Sequence, residues 1–227
     1  MPDDLAEQAS SVAALADPVR RALYRHVAGQ PAAVSREQVS TACEVPLHSV
    51  KFHLERLVDA GLLEVEFRRL SGRTGPGAGR PSKLYRRSTR QVSVSLPDRR
   101  YDLVGEILAE AVDRSARDAA PVADVAAAVA EETGRRIGAD QFTGSEDADL
   151  GDVCRVLARC GFEPRQVAGE LCLTNCPFDR LATAHPDLVC GLNLALVGGI
   201  LTSVPAPGLL ARLAPAPGSC CVKVSPR

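Results

Sequence analysis

Between Cys43 and Leu47 the chain has three residues, Glu44-Val45-Pro46, in which to leave one helix and begin another. The helix before them is announced by Ser35-Arg36-Glu37-Gln38, whose Ser-x-x-Gln spacing suits a capping box, and it covers residues 35–43. The helix after them covers 47–60, where Gly61 can supply a left-handed cap. An earlier helix from about Leu5 passes Leu15, restarts at Asp17-Pro18 and stops before Gly29-Gln30-Pro31. Two short helices about so tight a turn make a helix-turn-helix.

In the second of these helices Val50, Leu54, Leu57 and Val58 fall at i, i+4, i+7 and i+8 and draw one apolar stripe. The opposite face presents His48, Ser49, Phe52 and Arg56, with Lys51 at its edge. That mixture suits the major groove of DNA: Arg or Lys donates to guanine, Ser to several bases, and an aromatic edge meets a thymine methyl. Phe52 has two readings, a base contact or a residue packed against a neighbouring wing. His53 lies nearer the stripe and reads as a packing histidine with its polar atoms satisfied. Beyond Gly61, residues 62–70 roughly alternate, 71–83 form a Gly/Pro-rich loop, and 84–87 complete the pattern of a β-hairpin wing. The loop carries Arg73, Arg80 and Lys83. Arg80-Pro81 offers an extended cation to a phosphate backbone or a minor groove.

The formal net charge of -1 conceals an asymmetry. Residues 1–100 hold 16 Lys/Arg against 11 Asp/Glu, whereas residues 101–227 hold 11 against 17. An N-terminal half facing a polyanion and a C-terminal half with another task fit this split, a solvated basic loop being the plainer alternative. The first residues lack the basic and apolar regions of a signal peptide. The longest apolar run, 188–204, contains Asn193 and falls short of the ~20 residues that span a bilayer. We read it as a buried helix and expect a cytoplasmic chain without a membrane partner. In a reducing compartment, eight cysteines are ligands, redox sensors or buried small residues sooner than a disulfide framework.

Taken together, "ALADPVRRALYRHV", "VKFHLERLVDAGLLE" and "GAGRPSKLYRR" resemble the winged helix-turn-helix regulators of the ArsR-like group over about residues 11–90. The resemblance implies a homodimer on a palindromic operator in double-stranded DNA, with half-sites about one helical turn, ~34–36 Å, apart.

Residues 101–116 carry Leu103, Val104, Ile107, Leu108, Ala111 and Val112, an apolar face for a helix that pairs with a copy of itself or packs within one chain. A second Ala/Val-rich helix follows at 121–138, then an acidic loop at 141–150. Helical spacing resumes at Val153, and two short strands flank Gly169. A turn at 175–178 opens a helix from about Asp179, His185-Pro186 breaks it, and the apolar run follows. The class is α+β. We divide the chain into a winged helix-turn-helix domain (1–95), a helical connector and dimerisation segment (96–140) and a cysteine-rich sensor domain (141–227).

The cysteines of this last part sit at junctions: Cys176 at a strand-to-helix turn, Cys190 in the first turn of a helix, and Cys220-Cys221 where a turn becomes a strand. Helix starts and turns offer backbone amides that stabilise thiolates. Intervals of 3, 13 and 29 residues separate Cys172, Cys176, Cys190 and Cys220, which is not the paired-knuckle spacing of a structural zinc ribbon. Strand alternation turns one of Cys220 and Cys221 inward, not both. Cys43, Cys154 and Cys160 read as structural.

"NCPFDRLA", "HPDLVCGLNLALVGGIL" and "LAPAPGSCCV" resemble the C-terminal sensor domain of SufR-type regulators, which repress iron–sulfur cluster assembly operons. The resemblance implies a 4Fe-4S cluster on Cys176, Cys190 and Cys220. For a fourth ligand the sequence offers Cys172, Asp179, His185 or Cys221. The expected protein is thus a repressor of iron–sulfur or related redox and iron genes, without small-molecule substrate or catalysis. A zinc, soft-metal or thiol–disulfide response is the alternative. A thiol enzyme is a third reading, and only His185 among four histidines lies near these cysteines in sequence to serve as its base.

Overall fold

A computed structural model of the chain describes residues 2–69, 81–142, 148–204, 208–216 and 218–226. They form two compact units, Met1–Val94 and Ser95–Arg227, each mixing helices with an antiparallel sheet.

The first unit opens with α1 (Pro2–Ala14) and α2 (Pro18–Ala28). Asp17 caps α2 by accepting the Arg20 amide at 2.8 Å, and Pro18 sits where its missing N–H costs nothing. The strand β1 (Val34–Ser35), too short to leave a sequence pattern, leads into α3 (Arg36–Cys43). The capping box is formed: Ser35 Oγ accepts the Gln38 amide at 3.3 Å, and Gln38 Oε1 accepts the Ser35 amide at 2.8 Å. Glu44, at φ 56°, ends α3, and Ser40 holds the turn by taking the Val45 amide on its carbonyl at 3.2 Å and donating Oγ–H to the Val45 carbonyl at 2.7 Å.

That turn delivers α4 (Leu47–Asp59). Gly61, at φ 68°, closes it in a Schellman motif, with the Leu62 amide on the Leu57 carbonyl and the Gly61 amide on that of Val58, both at 2.9 Å. The wing strands β2 (Leu63–Arg68) and β3 (Ser82–Arg87) pair antiparallel, Leu63 opposite Arg87, in a sheet ordered β1-β3-β2. Leu23, Val27, Val39, Val50, Leu54, Leu57, Leu63 and Tyr85 make the core beneath it. Complete burial of such a side chain contributes ~1.5–3 kcal/mol, so this core orients α4 firmly.

The second unit runs α5 (Tyr101–Asp118), α6 (Val122–Gln141), α7 (Leu150–Arg159), β4 (Pro164–Val167), β5 (Glu170–Leu173), α8 (Asp179–Ala184), α9 (Pro186–Ser203), β6 (Leu209–Leu213) and β7 (Val222–Pro226). Its sheet is ordered β4-β5-β7-β6 and every pairing is antiparallel. Ala168 and Gly169, at φ 50° and 84°, form the two-residue turn between β4 and β5, a combination that matches strand twist. Residues 96–140, expected as a separate connector, belong to this unit: Leu103, Val104, Ile107 and Ala111 of α5 share one core with Val129, Val153, Leu157, Leu196 and Val222. The α5 face offered for self-pairing is largely used inside the chain, although Val112 stays exposed.

Helices α6 and α9 touch backbone to backbone. A Cβ at Gly134 would overlap the carbonyl oxygen of Leu196, and one at Gly199 that of Glu131. By length and composition α9 would pass for a membrane span, yet Val189, Leu192, Leu196, Val197 and Ile200 lie inside the core. This packing seats the C-terminal half of α9 against α6, while its first turns carry Cys190 and Asn193.

Candidate nucleic-acid interface and thiol site

On α4, Val50, Leu54 and Leu57 are buried while His48, Lys51, Phe52 and Arg56 are exposed and Ser49 is half-buried. Phe52 is 55% exposed, so the packing reading does not describe it in this unit. The Arg56 guanidinium lies 5.6 Å from the Phe52 ring centre, and the His53 ring meets the same ring edge-on at 5.3 Å. A cation over an aromatic face, both open to solvent, can slide together into a groove. His53 departs from expectation, because its Nδ1 is buried with no hydrogen-bond partner among the described residues. Phe67 on β2, which alternation alone did not single out, is 66% exposed.

Lys83 is less free than its sequence suggests. Its Nζ donates to both carboxylate oxygens of Glu55 on α4, at 2.6 and 2.7 Å, and the Tyr85 hydroxyl donates to the same carboxylate at 2.8 Å. Burial raises the Glu55 pKa, but the Lys83 and Tyr85 bonds outweigh it and hold the carboxyl below its ordinary value. Burial first, then donation to Glu55, pushes the Tyr85 phenol up. Lys83 therefore locks the wing to the recognition helix. Arg73 and Arg80 lie outside the described residues.

In the second unit, four sulfurs from separate segments meet in a chain. The Cys220 thiol interacts with those of Cys176 and Cys221, and Cys221 in turn with Cys190. Cys176 comes from the turn before α8, Cys190 from the start of α9, and Cys220-Cys221 from the turn before β7. Because β7 begins at Val222, strand alternation does not govern Cys220 and Cys221, and both reach the cluster. Asn193, one helical turn beyond Cys190, is fully buried and donates Nδ2–H to Cys220 Sγ at 3.0 Å.

Neighbouring thiols share protons unequally. Cys220 donates toward Cys176 and Cys221, so its own thiol is pushed up while Cys176 is held below its ordinary value despite burial. The Cys221 thiol is drawn down to about 6 by Cys220, against burial, with help from Cys190 and Asn193. Burial, then donation to Cys221, raises Cys190 to about 12. The four sulfurs thus differ in how readily each gives up its proton, and the thiolate is the form that binds soft metals. Among the described residues no three His, Cys, Asp or Glu side chains are arranged to hold a metal ion as they stand, so capture would require the thiols to turn toward a common centre.

The remaining candidates stand apart. Cys172 is half-buried in β5, opposite Arg165 and Lys223. His185 is exposed at the break before α9, and Asp179 pairs with Arg99 at 3.6 Å. Sequence reasoning missed the groups that hold the Cys176 turn. Asn175, buried, donates Nδ2–H to the carbonyls of Asp98 and Gly161, at 2.9 and 2.6 Å. Arg99 Nη1 donates to Asn175 Oδ1 and, at 3.0 Å, to the Cys176 carbonyl, while the Arg100 amide donates to that of Pro177 at 3.0 Å. The signal available was an asparagine beside a cysteine and a basic pair at 99–100 outside any helical pattern.

Residues 15–66 match the family model of a helix-turn-helix domain, a span that runs from the end of α1 into β2. No curated protein and no solved structure matches the chain. The match, the exposed face of α4 and the β2–β3 wing define a winged helix-turn-helix, and the chain is a DNA-binding transcriptional regulator.

Proposed function

We propose that the chain is a dimeric repressor of iron–sulfur cluster assembly or related redox and iron genes, its operator affinity set by an iron–sulfur cluster, 4Fe-4S, on Cys176, Cys190 and Cys220. The observation that carries this reading is the meeting of these thiols from three distant segments beside a buried amide donor. The donor set fits by its chemistry: neighbouring cysteine sulfurs and a buried N–H aimed at one of them are the features that hold and tune such clusters. When bound, the cluster supplies a group sensitive to oxidants and to iron supply.

The chain's own residues would carry the consequence. The Cys176 turn is hydrogen-bonded to residues 98–100, and these follow directly on the end of the DNA-binding unit at Val94. A turn drawn toward or released from a common centre pulls on that link and biases the dimer between two spacings of its recognition helices. The holo form binds the operator and the damaged form releases it.

A second reading keeps the same thiols for a soft metal or a disulfide, since Cys176 and Cys220 are already neighbours. Metal and acid-labile sulfide analysis of anaerobically prepared protein separates the readings. Iron with sulfide and broad absorbance near 400 nm is expected, and colourless, iron-free protein that still binds its operator would sink the cluster.

A further inference from the structure

We infer that Cys221 is the fourth sulfur donor of the thiol site and that Asn193 is the residue that positions the donors. This rests on reading Cys176, Cys190 and Cys220 as ligands, and it goes further by fixing which group completes them.

The backbone pins the vicinal pair from both sides. The Cys220 amide donates to the Leu173 carbonyl of β5 at 2.8 Å, and the Cys221 carbonyl accepts the Ala214 amide at 2.7 Å. Between these anchors both side chains face the end of α9, where Cys221 meets Cys190 and Cys220 meets Cys176. The competing donors are engaged or turned elsewhere: Asp179 on Arg99, Cys172 in the strand ladder, His185 in solvent.

Asn193 supplies the independent observation. It is fully buried on an otherwise apolar helix, a costly place for an amide. Its Nδ2–H is used on sulfur, and its Oδ1, equally sealed from water, has no partner among the described residues. A structural asparagine would satisfy its oxygen, as Asn175 does by accepting from the Arg99 guanidinium. This one is committed to the sulfur cluster, so its role is to orient Cys220 and Cys221 and to stabilise their thiolates. Loading a divalent cation sends the thiol protons to solvent and leaves four thiolates on the metal.

The test uses the full-length apo protein without oxygen, titrated with Cd²⁺, with pulse alkylation by N-ethylmaleimide located by mass spectrometry. Cd²⁺ should protect Cys176, Cys190, Cys220 and Cys221 and leave Cys172 as reactive as in the apo form. Cys221→Ser should remove about a quarter of the thiolate-to-metal absorbance, one donor of four. Asn193→Leu, which removes a buried unsatisfied oxygen, should keep the melting temperature and weaken Cd²⁺ binding ~10–100-fold. Protection of only Cys176, Cys190 and Cys220, protection of Cys172 in place of Cys221, or Cd²⁺ affinity unchanged in Asn193→Leu would overturn the inference. Four protected thiols in a protein that takes up no iron and sulfide would support this assignment while removing the cluster reading.

Discussion

The Arg99 guanidinium donates to the carbonyl oxygen of Cys176 at 3.0 Å, tying the turn that bears a thiol to the first residues after the DNA-binding unit. Arg99→Ala should therefore leave iron content and apo-form operator affinity unchanged while collapsing the difference between holo and apo binding. Couplings of this kind span ~5–150-fold, and the variant should bring the ratio to within about twofold. Fluorescence anisotropy on both forms measures it, and an undiminished ratio would remove Arg99 from the route.

Phe52 and Arg56 stand together in solvent on α4. Phe52→Ala and Arg56→Ala should each cost ~1–3 kcal/mol on the operator and much less on unrelated DNA, with little change in stability. Lys51→Ala should weaken binding to all sequences and lower the salt slope by ~0.9 if it neutralises one phosphate. Lys83→Ala differs, because it leaves the Glu55 carboxylate on the recognition helix without its cation, held by Tyr85. Its loss of affinity should be restored in part by adding Glu55→Gln, and titrations at several salt concentrations distinguish the cases.

The sequence announces those features whose physics is local. The reach from α3 to the wing is written in near-neighbour chemistry: Ser35 and Gln38 cap, Pro46 restarts, Gly61 closes, and each acts within six residues. The thiol site is written at long range. Asn193 shows in the sequence only as an interruption of an apolar run, and nothing local says that it meets Cys220, 27 residues away. Cys220 and Cys221 mislead because alternation assumes a strand that begins only at Val222. β6 pairs with β7 across a stretch of prolines, a long-range match that alternation over five residues does not announce.

The contact between α6 and α9 depends on two glycines. Gly134→Ala or Gly199→Ala places a methyl group on a backbone carbonyl that cannot step aside, and overpacking of that kind costs ~1–3 kcal/mol or more. Thermal denaturation should show the loss in each variant, whereas Gly191→Ala, whose Cβ meets open space, should be nearly silent.

Tyr85 gives the first unit a dependence on alkaline pH. Its phenol is held above the ordinary value near 10 by burial and by donation to Glu55. The unfolded chain loses this proton first, so the stabilisation is complete below pH ~10 and is lost as pH climbs toward the folded value. In a spectrophotometric titration, the phenolate signal that disappears in Tyr85→Phe should be the one that rises above pH ~10. A component titrating at or below that value would contradict the Glu55–Tyr85 bond.

The thiol cluster is proposed to govern DNA binding. The direct measurement is operator affinity of anaerobic holo protein against its own apo form, repeated with Cys176→Ser. The holo protein should bind at least ~5-fold more tightly, and Cys176→Ser should behave as apo under both preparations. Equal affinities for holo, apo and Cys176→Ser protein would contradict it.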